Sequence, residues 1–298
     1  MATANGKTVS LVLGSGGARG LAHIGVIHWL EESNFKIKSI VGCSIGAVIG
    51  GIYAAGKLDE YEKWVRSLTK VDIVTLLDLS WERSGLVRGE KLVNTLTGLV
   101  GEKLIEDLPI SYTAVATGLR GQKEVWMRSG SLFDAMRASF AIPLFFTPFK
   151  YKGVDLVDGG ILNPVPIAPT FGDETDMTIA VNLNGPAGSP IEPVDVSAAP
   201  ESPSSPFREK INRFIGRLQP SSSGGSRDWG AYEIAIQAFD AMQSTIARQK
   251  LAAYPPDTVI EIARNACRTL EFDRAAEMIA LGYRKAKMCD FTPSAGRR

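Results

Sequence analysis

The sequence predicts an α/β fold with a mostly parallel central sheet. Two short apolar runs, 8–13 and 39–41, are each followed by a glycine-containing loop and then by a segment whose apolar residues have helical spacing. Repeated strand, loop and helix units are typical of parallel sheets, which are covered on both faces. With 298 residues the chain is long enough to bury a substantial core, and we expect one domain over 1–298.

The other elements follow from local patterns. Further strands are expected at 112–117, 123–127, 154–157 and 177–183, and the last of these is expected to be the final clear core strand. Helices are expected where apolar residues recur at helical spacing, at 21–33, 45–55, 59–68, 89–99, 131–139, 229–251 and 271–287.

The segment 186–228 differs in composition from the rest of the chain. It is rich in Pro, Ser and Gly, which predicts a mobile insert, and the helices within 229–298 are expected to pack on the core. Inside the insert, apolar residues of 207–218 recur at helical spacing among Lys and Arg. This pattern fits docking on the protein's own core, on a partner, or on an anionic membrane.

Composition excludes several classes of function. A net charge of +1 gives no overall positive field that would attract nucleic acid. Two histidines and three cysteines provide few ligands for a transition-metal site. We therefore expect no nucleic-acid partner, no metal and no cofactor. The cysteines lack framework spacing, the N-terminus lacks a signal-peptide layout, and the apolar residues 40–55 are too short to span a bilayer. We expect a cytoplasmic protein that contacts the inner face of the membrane peripherally. The sequence leaves its oligomeric state undetermined.

The pentapeptide Gly-Cys-Ser-Ile-Gly at 42–46 is the strongest chemical signal. It follows a predicted strand and precedes a predicted helix, which is the context of a nucleophile elbow, where a sharp turn exposes a serine hydroxyl. Ser44 is then the candidate nucleophile. The alternative is a small residue in a glycine-rich turn.

The histidine that usually serves as the base is missing. In α/β-hydrolases it follows the serine along the chain, whereas His23 and His28 both precede Ser44. Their spacing of five residues does not match the i, i+4 spacing of a metal pair on one helix face, so ordinary packing or surface roles are expected. Asp158, which ends a predicted strand and is followed by two glycines, is the candidate base. Asp155 and Asp173 are weaker candidates because neither has that setting.

The loop at 14–20, Gly-Ser-Gly-Gly-Ala-Arg-Gly, has three interpretations. It does not fit the spacing of a dinucleotide-binding fingerprint, and it lacks the Lys-Ser/Thr pair of a Walker loop. The third interpretation is an oxyanion hole, because glycines allow backbone N–H groups to converge on one point. Arg19 is expected either to orient this loop or to bind anionic headgroups. Further along, Phe140, Pro143, Phe145 and Phe146 are expected to line an apolar pocket.

Several separated blocks together resemble the bacterial patatin-like phospholipases. They occur in the order of that family and span about 8–185: Ser15 to Gly20, Gly42 to Gly46, Arg137 to Pro148, Asp158 to Gly160 and Asn163 to Pro166. The resemblance implies a three-layer α/β/α sandwich. The sequence departs from the family at Ser15, which replaces the first residue of the triple glycine common in the family.

The resemblance also implies a chemistry. Ser44 and Asp158 would form a Ser–Asp dyad, and the backbone of Gly16 and Gly17, with Arg19 nearby, would form the oxyanion hole. The substrates would be acyl esters of phospholipids, lysophospholipids or neutral lipids, met at a membrane or micelle surface. A nonlipid esterase or acyltransferase with the same dyad, a nucleotide-binding regulator using the glycine loop, and a membrane-docking module without turnover remain alternatives.

Overall fold

The computed structural model describes residues 6–76, 89–143, 145–188 and 231–291. The strands in these ranges are β1 Thr8–Leu13, β2 Lys36–Cys43, β3 Ser111–Gly118, β4 Lys123–Met127, β5 Phe149–Tyr151, β6 Val154–Asp158, β7 Met177–Gly185 and β8 Thr258–Ala263. The α-helices are α1 Ala22–Glu32, α2 Ile45–Ala54, α3 Leu58–Arg66, α4 Lys70–Leu76, α5 Glu90–Val100, α6 Leu132–Ser139, α7 Ala231–Ala253 and α8 Ala275–Met288. Short 3-10 turns include Gly17–Leu21 and Phe272–Arg274.

One mixed sheet forms the centre of the molecule. Its parallel part has the order β3, β2, β1, β7, β8. The strands β4 and β6 pair antiparallel with β3, and β5 pairs antiparallel with β6. The predicted α/β class with a largely parallel sheet is therefore confirmed, with the antiparallel strands gathered beside β3.

The central strands are buried on both faces, which gives the three-layer arrangement. In β1 the side chains alternate, so that Leu11 and Leu13 join the large core under α1, α2 and α8, whereas Val12 points to the opposite face. There Val12 packs in a small cluster with Ala247 of α7. In the described parts of the chain, no helix is long and apolar enough to cross a bilayer.

The prediction that 177–183 is the last core strand is wrong. Strand β8 pairs in parallel with β7, and its Ile260 and Ile262 are fully buried. The sequence of β8 does place a polar residue, Glu261, between the apolar Ile260 and Ile262. The strand is short, however, and lies between two long helices, so this pattern was not interpreted as a strand. Helix α4 and strand β5 were also missed. The predicted insert at 186–228 and its amphipathic part at 207–218 lie almost wholly outside the described residues.

Helices α1 and α8 touch through their backbones. A Cβ added to Gly25 would lie 2.7 Å from the backbone N of Tyr283, and one added to Gly282 would lie 2.7 Å from the carbonyl carbon of Ala22. Both distances are shorter than real Cβ contacts, so the two glycines are required by this packing. The contact fixes α8 against the helix that continues from the glycine loop.

We expect Gly282→Ala to lower the free energy of unfolding by about 1–3 kcal/mol, because the added methyl group overpacks a backbone contact. Gly98→Ala is the matched control, since Gly98 lies on the exposed side of α5 with nothing within 4 Å of an added Cβ. It should raise stability by up to about 1 kcal/mol through the better helix propensity of alanine. Urea unfolding measures both, and equal effects would contradict the proposed packing.

Candidate active site

Ser44 lies in a sharp turn between β2 and α2, as the pentapeptide predicts. Its φ of 55° and ψ of −124° are unusual for a residue with a side chain. The glycine at 46 is required because an added Cβ would lie 2.6 Å from the carbonyl carbon of Leu13. The sharp turn therefore places Ser44 directly after the end of β2 and before α2.

Ser139 on α6 holds this turn in place. Its hydroxyl oxygen accepts a hydrogen bond from the backbone N–H of Ser44 at 2.9 Å and donates one to the carbonyl of Val115 on β3 at 2.7 Å. The side chain is fully buried. Ser139 belongs to the Arg137 to Pro148 block of the family resemblance but was given no role there, and the only local signal was a small polar residue at the end of a largely apolar helix.

Asp158 meets Ser44 across the sheet. Its Oδ2 accepts a hydrogen bond from Ser44 Oγ at 2.5 Å, and its Oδ1 accepts one from the backbone N–H of Gly160 at 2.7 Å. Strand order explains the meeting, because β6 places Asp158 opposite Ala116 on β3, and β3 is the neighbour of β2. The exposed fraction is 0% for Asp158 and 2% for Ser44.

Burial changes the acidity of this carboxyl group. Removal from water raises the pKa of Asp158 to about 7, although the hydrogen bonds from Ser44 and Gly160 act in the opposite direction. A carboxylate with this pKa can accept a proton at neutral pH far better than a solvated aspartate. Burial also raises the pKa of the adjacent Cys43 thiol well above its usual range, helped by the charge of Asp158, so this thiol stays protonated.

The glycine loop offers two free backbone donors. The amides of Gly14, Ser15 and Ala18 donate to the carbonyls of Val181, Pro164 and Thr269, respectively. Within the described residues, the amides of Gly16 and Gly17 have no protein acceptor. Gly17 adopts φ +58° and an added Cβ would meet the Thr269 backbone at 2.5 Å, so glycine is required there.

Arg19 anchors the loop and does not face the open cavity. Its Nη1 donates to the carbonyls of Arg264 at 3.0 Å and Cys267 at 3.4 Å, and its Nη2 lies 3.7 Å from Asp240 Oδ1. The residue is only 3% exposed. Of the two expectations for Arg19, orientation of the loop therefore fits these contacts, and headgroup binding does not.

His23 supports the same loop from α1. Its Nε2 lies 2.9 Å from the carbonyl oxygen of Gly14, and burial lowers its pKa to about 4. The ring is therefore neutral at physiological pH and donates from Nε2 to that carbonyl. His28 instead contacts Glu62 at 2.6 Å, and Asp173 accepts from Ser10. In the described ranges no group of three or more His, Cys, Asp or Glu side chains is placed to hold a metal.

An apolar cavity is lined by Ser44 and Gly17 at the proposed site. Three of the predicted pocket residues line it, namely Phe140, Phe145 and Phe146. Pro143 does not line it, and the adjacent Ile142 does. The rest of the wall was not predicted from the sequence. It comes from α3, the turn after it, α4, α5 and the segment after β8, and consists of Tyr61, Trp64, Val65, Leu68, Ile73, Leu76, Leu92, Leu96, Thr269, Leu270 and Phe272.

Fold and site define an α/β protein with the patatin fold. The family model described as patatin-like phospholipase matches residues 11–171. The chain belongs to the patatin-like phospholipase family, whose name denotes lipid hydrolases, and the resemblance predicted from the sequence is confirmed.

Several relatives show how far this similarity extends. An "Uncharacterized NTE family protein" of Mycobacterium tuberculosis is 43% identical over 319 residues, covering 92% of this chain and 89% of that protein. Human patatin-like phospholipase domain-containing protein 6 is 28% identical, over 95% of this chain but only 20% of its own length. Lysophospholipase NTE1 of Yarrowia lipolytica is 29% identical over 60% of this chain and 13% of its own. The structure of VipD from Legionella pneumophila aligns with 95% of this chain and 66% of its own, at 16% identity and a TM-score of 0.46.

The buried carboxyl group predicts a pH-dependent effect of Asp158→Asn on stability. Because the pKa of Asp158 is higher in the folded chain than in the unfolded one, its contribution to folding is complete below about pH 4 and is lost as the pH rises to about 7. An amide of the same shape does not ionise. The stability of the variant relative to the wild type should therefore rise by about 2 kcal/mol between pH 5 and pH 8.

Urea unfolding of both proteins at the two pH values measures this difference. An equal difference at pH 5 and pH 8 would show that the carboxyl group titrates in the folded state as it does in the unfolded chain.

Proposed function

We propose that the protein hydrolyses carboxylic esters of phospholipids or lysophospholipids, with Ser44 as nucleophile and Asp158 as base. The observation that carries the proposal is the 2.5 Å hydrogen bond from Ser44 Oγ to Asp158 Oδ2, with Ser44 lining an apolar cavity. Family membership supports the same class of substrate.

In the acylation step, Ser44 Oγ attacks the ester carbonyl carbon while its proton passes to Asp158 Oδ2. The carbonyl oxygen becomes an oxyanion and accepts hydrogen bonds from the amides of Gly16 and Gly17, whose protons have no acceptor among the described residues. Each such donor typically contributes about 3 kcal/mol to the stability of the transition state. The intermediate then collapses, the ester bond breaks, and the leaving alcohol takes the proton from Asp158.

The deacylation step repeats this chemistry with water. Asp158 accepts a proton from a water molecule as the water oxygen attacks the acyl carbon, and the same two amides hold the second oxyanion. Collapse releases the fatty acid, and the proton on Asp158 returns to Ser44 Oγ. In each of the two steps one proton moves to Asp158 and then leaves it. A pKa near neutral suits this carboxyl group because it must both accept and release a proton.

The cavity favours a fatty acyl chain over a small polar acyl group. Its walls are aliphatic and aromatic, and on one side the ring of Phe146 contacts those of Phe140 and Phe145 edge to face. Each buried methylene of a chain contributes about 0.8 kcal/mol. Since such a chain is otherwise held in a bilayer or micelle, the proposal includes transient contact with a lipid surface. A contact between Arg19 and the lipid headgroup is not part of the proposal, because Arg19 is buried.

A fluorophosphonate probe with peptide mapping tests the assignment. We expect the adduct on Ser44, no labelling and no ester hydrolysis in Ser44→Ala, and a decrease of about 10²–10⁴-fold in kcat for Asp158→Asn, because the general base is lost. Asp155→Asn is the matched control, since Asp155 lies on the same strand, is partly exposed and faces Arg120 at 3.8 Å. It should retain wild-type activity.

Phospholipid, lysophospholipid and short-chain esters are compared as substrates, with and without an acceptor alcohol. An adduct on another residue, or full activity in Ser44→Ala, would refute the dyad. Transfer of the acyl group to the alcohol in preference to water would identify an acyltransferase instead.

A further inference from the structure

A buried polar pair connects α7 to the glycine loop. The Nε2 of Gln243 donates a hydrogen bond to Ser15 Oγ at 3.1 Å, and each residue is 3% exposed. Ser15 stands where the patatin-like resemblance expects a third glycine. Gln243 lies outside residues 11–171, which are the part that the family model matches. The departure at Ser15 therefore has a partner in the C-terminal part of the chain.

The same pair packs on the turn that holds Asp158. A Cβ added to Gly160 would lie 2.7 Å from Ser15 Oγ and 2.9 Å from Asp158 Oδ1, and it would overlap Gln243 Nε2. The Gly160 amide is the donor to Asp158 Oδ1. Ser15 and Gln243 are thus in contact with the peptide that orients the carboxyl group.

Ser15 is fixed on its backbone as well as its side chain. Its N–H donates to the carbonyl of Pro164 at 2.8 Å, and its carbonyl accepts from Asn184 Nδ2 at 3.1 Å. The next two residues are Gly16 and Gly17, which carry the free amides. Any shift of Ser15 is therefore transmitted directly to the proposed oxyanion donors.

Helix α7 is itself held at two other points. Lys250 Nζ donates to Glu124 Oε1 on β4 at 2.8 Å, and Asp240 lies 3.7 Å from Arg19. These contacts lie about two turns and one turn along the helix from Gln243. Gln243 therefore reaches the loop from a fixed helix.

We propose that Gln243 is a positioning residue for ester hydrolysis, acting through Ser15 Oγ to hold the glycine loop and the Asp158–Gly160 turn in one fixed relation. The inference rests on the proposed function. Its basis is that one side chain touches both the loop that carries the oxyanion donors and the turn that carries the base. Gln243 does not line the cavity, so its effect falls on the rate of the chemical step and not on substrate binding.

Removal of either partner tests the proposal. Gln243→Met retains the volume of the side chain without the amide, and Ser15→Gly removes the acceptor and restores the triple glycine. Each variant should lower kcat on a short-chain ester about tenfold with KM changed less than twofold. The double variant should be no slower than the slower single variant, because the two residues act as a unit. Thermal unfolding confirms that each variant is folded, and if Gln243→Met is not, Ser15→Gly decides.

A charge at position 243 gives a second readout that a merely structural role would not affect. Gln243→Glu places a carboxyl group beside Asp158, and like charges raise the pKa of both groups. The acidic limb of kcat/KM should therefore move to higher pH. The matched control is Gln249→Glu, an identical change on the exposed face of α7, which should leave the profile unchanged.

The two proposals fail in different ways. If the wild type labels at Ser44 and hydrolyses esters, but the single variants keep wild-type kcat, alter KM alone, or have effects that multiply, the role of Gln243 is refuted and the dyad stands. An unmoved acidic limb in Gln243→Glu also refutes it. If the wild type shows no adduct at Ser44, both proposals fall together.

Discussion

The burial of one carboxyl group against one hydroxyl group determines how this site can work. The chain has no histidine after Ser44, so a proton acceptor must come from another side chain. A solvated aspartate is too acidic for that task, with a pKa near 3.9. The sheet removes Asp158 completely from water and thereby raises its pKa to about 7. The proposed chemistry thus depends on strand order, since the β6–β3–β2 arrangement brings the two residues together.

The C-terminal part of the chain completes the site that the family motifs begin. Residues 11–171 contain Ser44, Asp158 and the glycine loop, but the loop is held from outside that range. The carbonyl of Thr269 accepts from Ala18, the segment after β8 accepts from Arg19, and α7 supplies Gln243. Close packing of α8 on α1 fixes the helix that continues from the loop. Motif residues and C-terminal elements are therefore joined by direct hydrogen bonds.

Local signals explain what the sequence could predict. The nucleophile elbow, the strand before Asp158 and the aromatic run around Phe145 are each encoded within about a dozen residues, so their structural settings were predictable. The catalytic roles of Ser44 and Asp158 stay predictions. Ser139 and Gln243 could not be found this way, because their partners lie 95 and 228 residues away along the chain. The same holds for the cavity wall from α3 to α5. Pro143 was predicted to line the cavity, but its neighbour Ile142 lines it instead.

The most direct test of the central claim is the pH dependence of the rate at which a fluorophosphonate labels Ser44. If buried Asp158 is the base, the second-order rate constant should rise with pH as a single proton is lost, with a midpoint near pH 7. The same limb should be absent in Asp158→Asn. A midpoint near pH 4, or a limb that persists in the variant, would show that Asp158 does not activate Ser44.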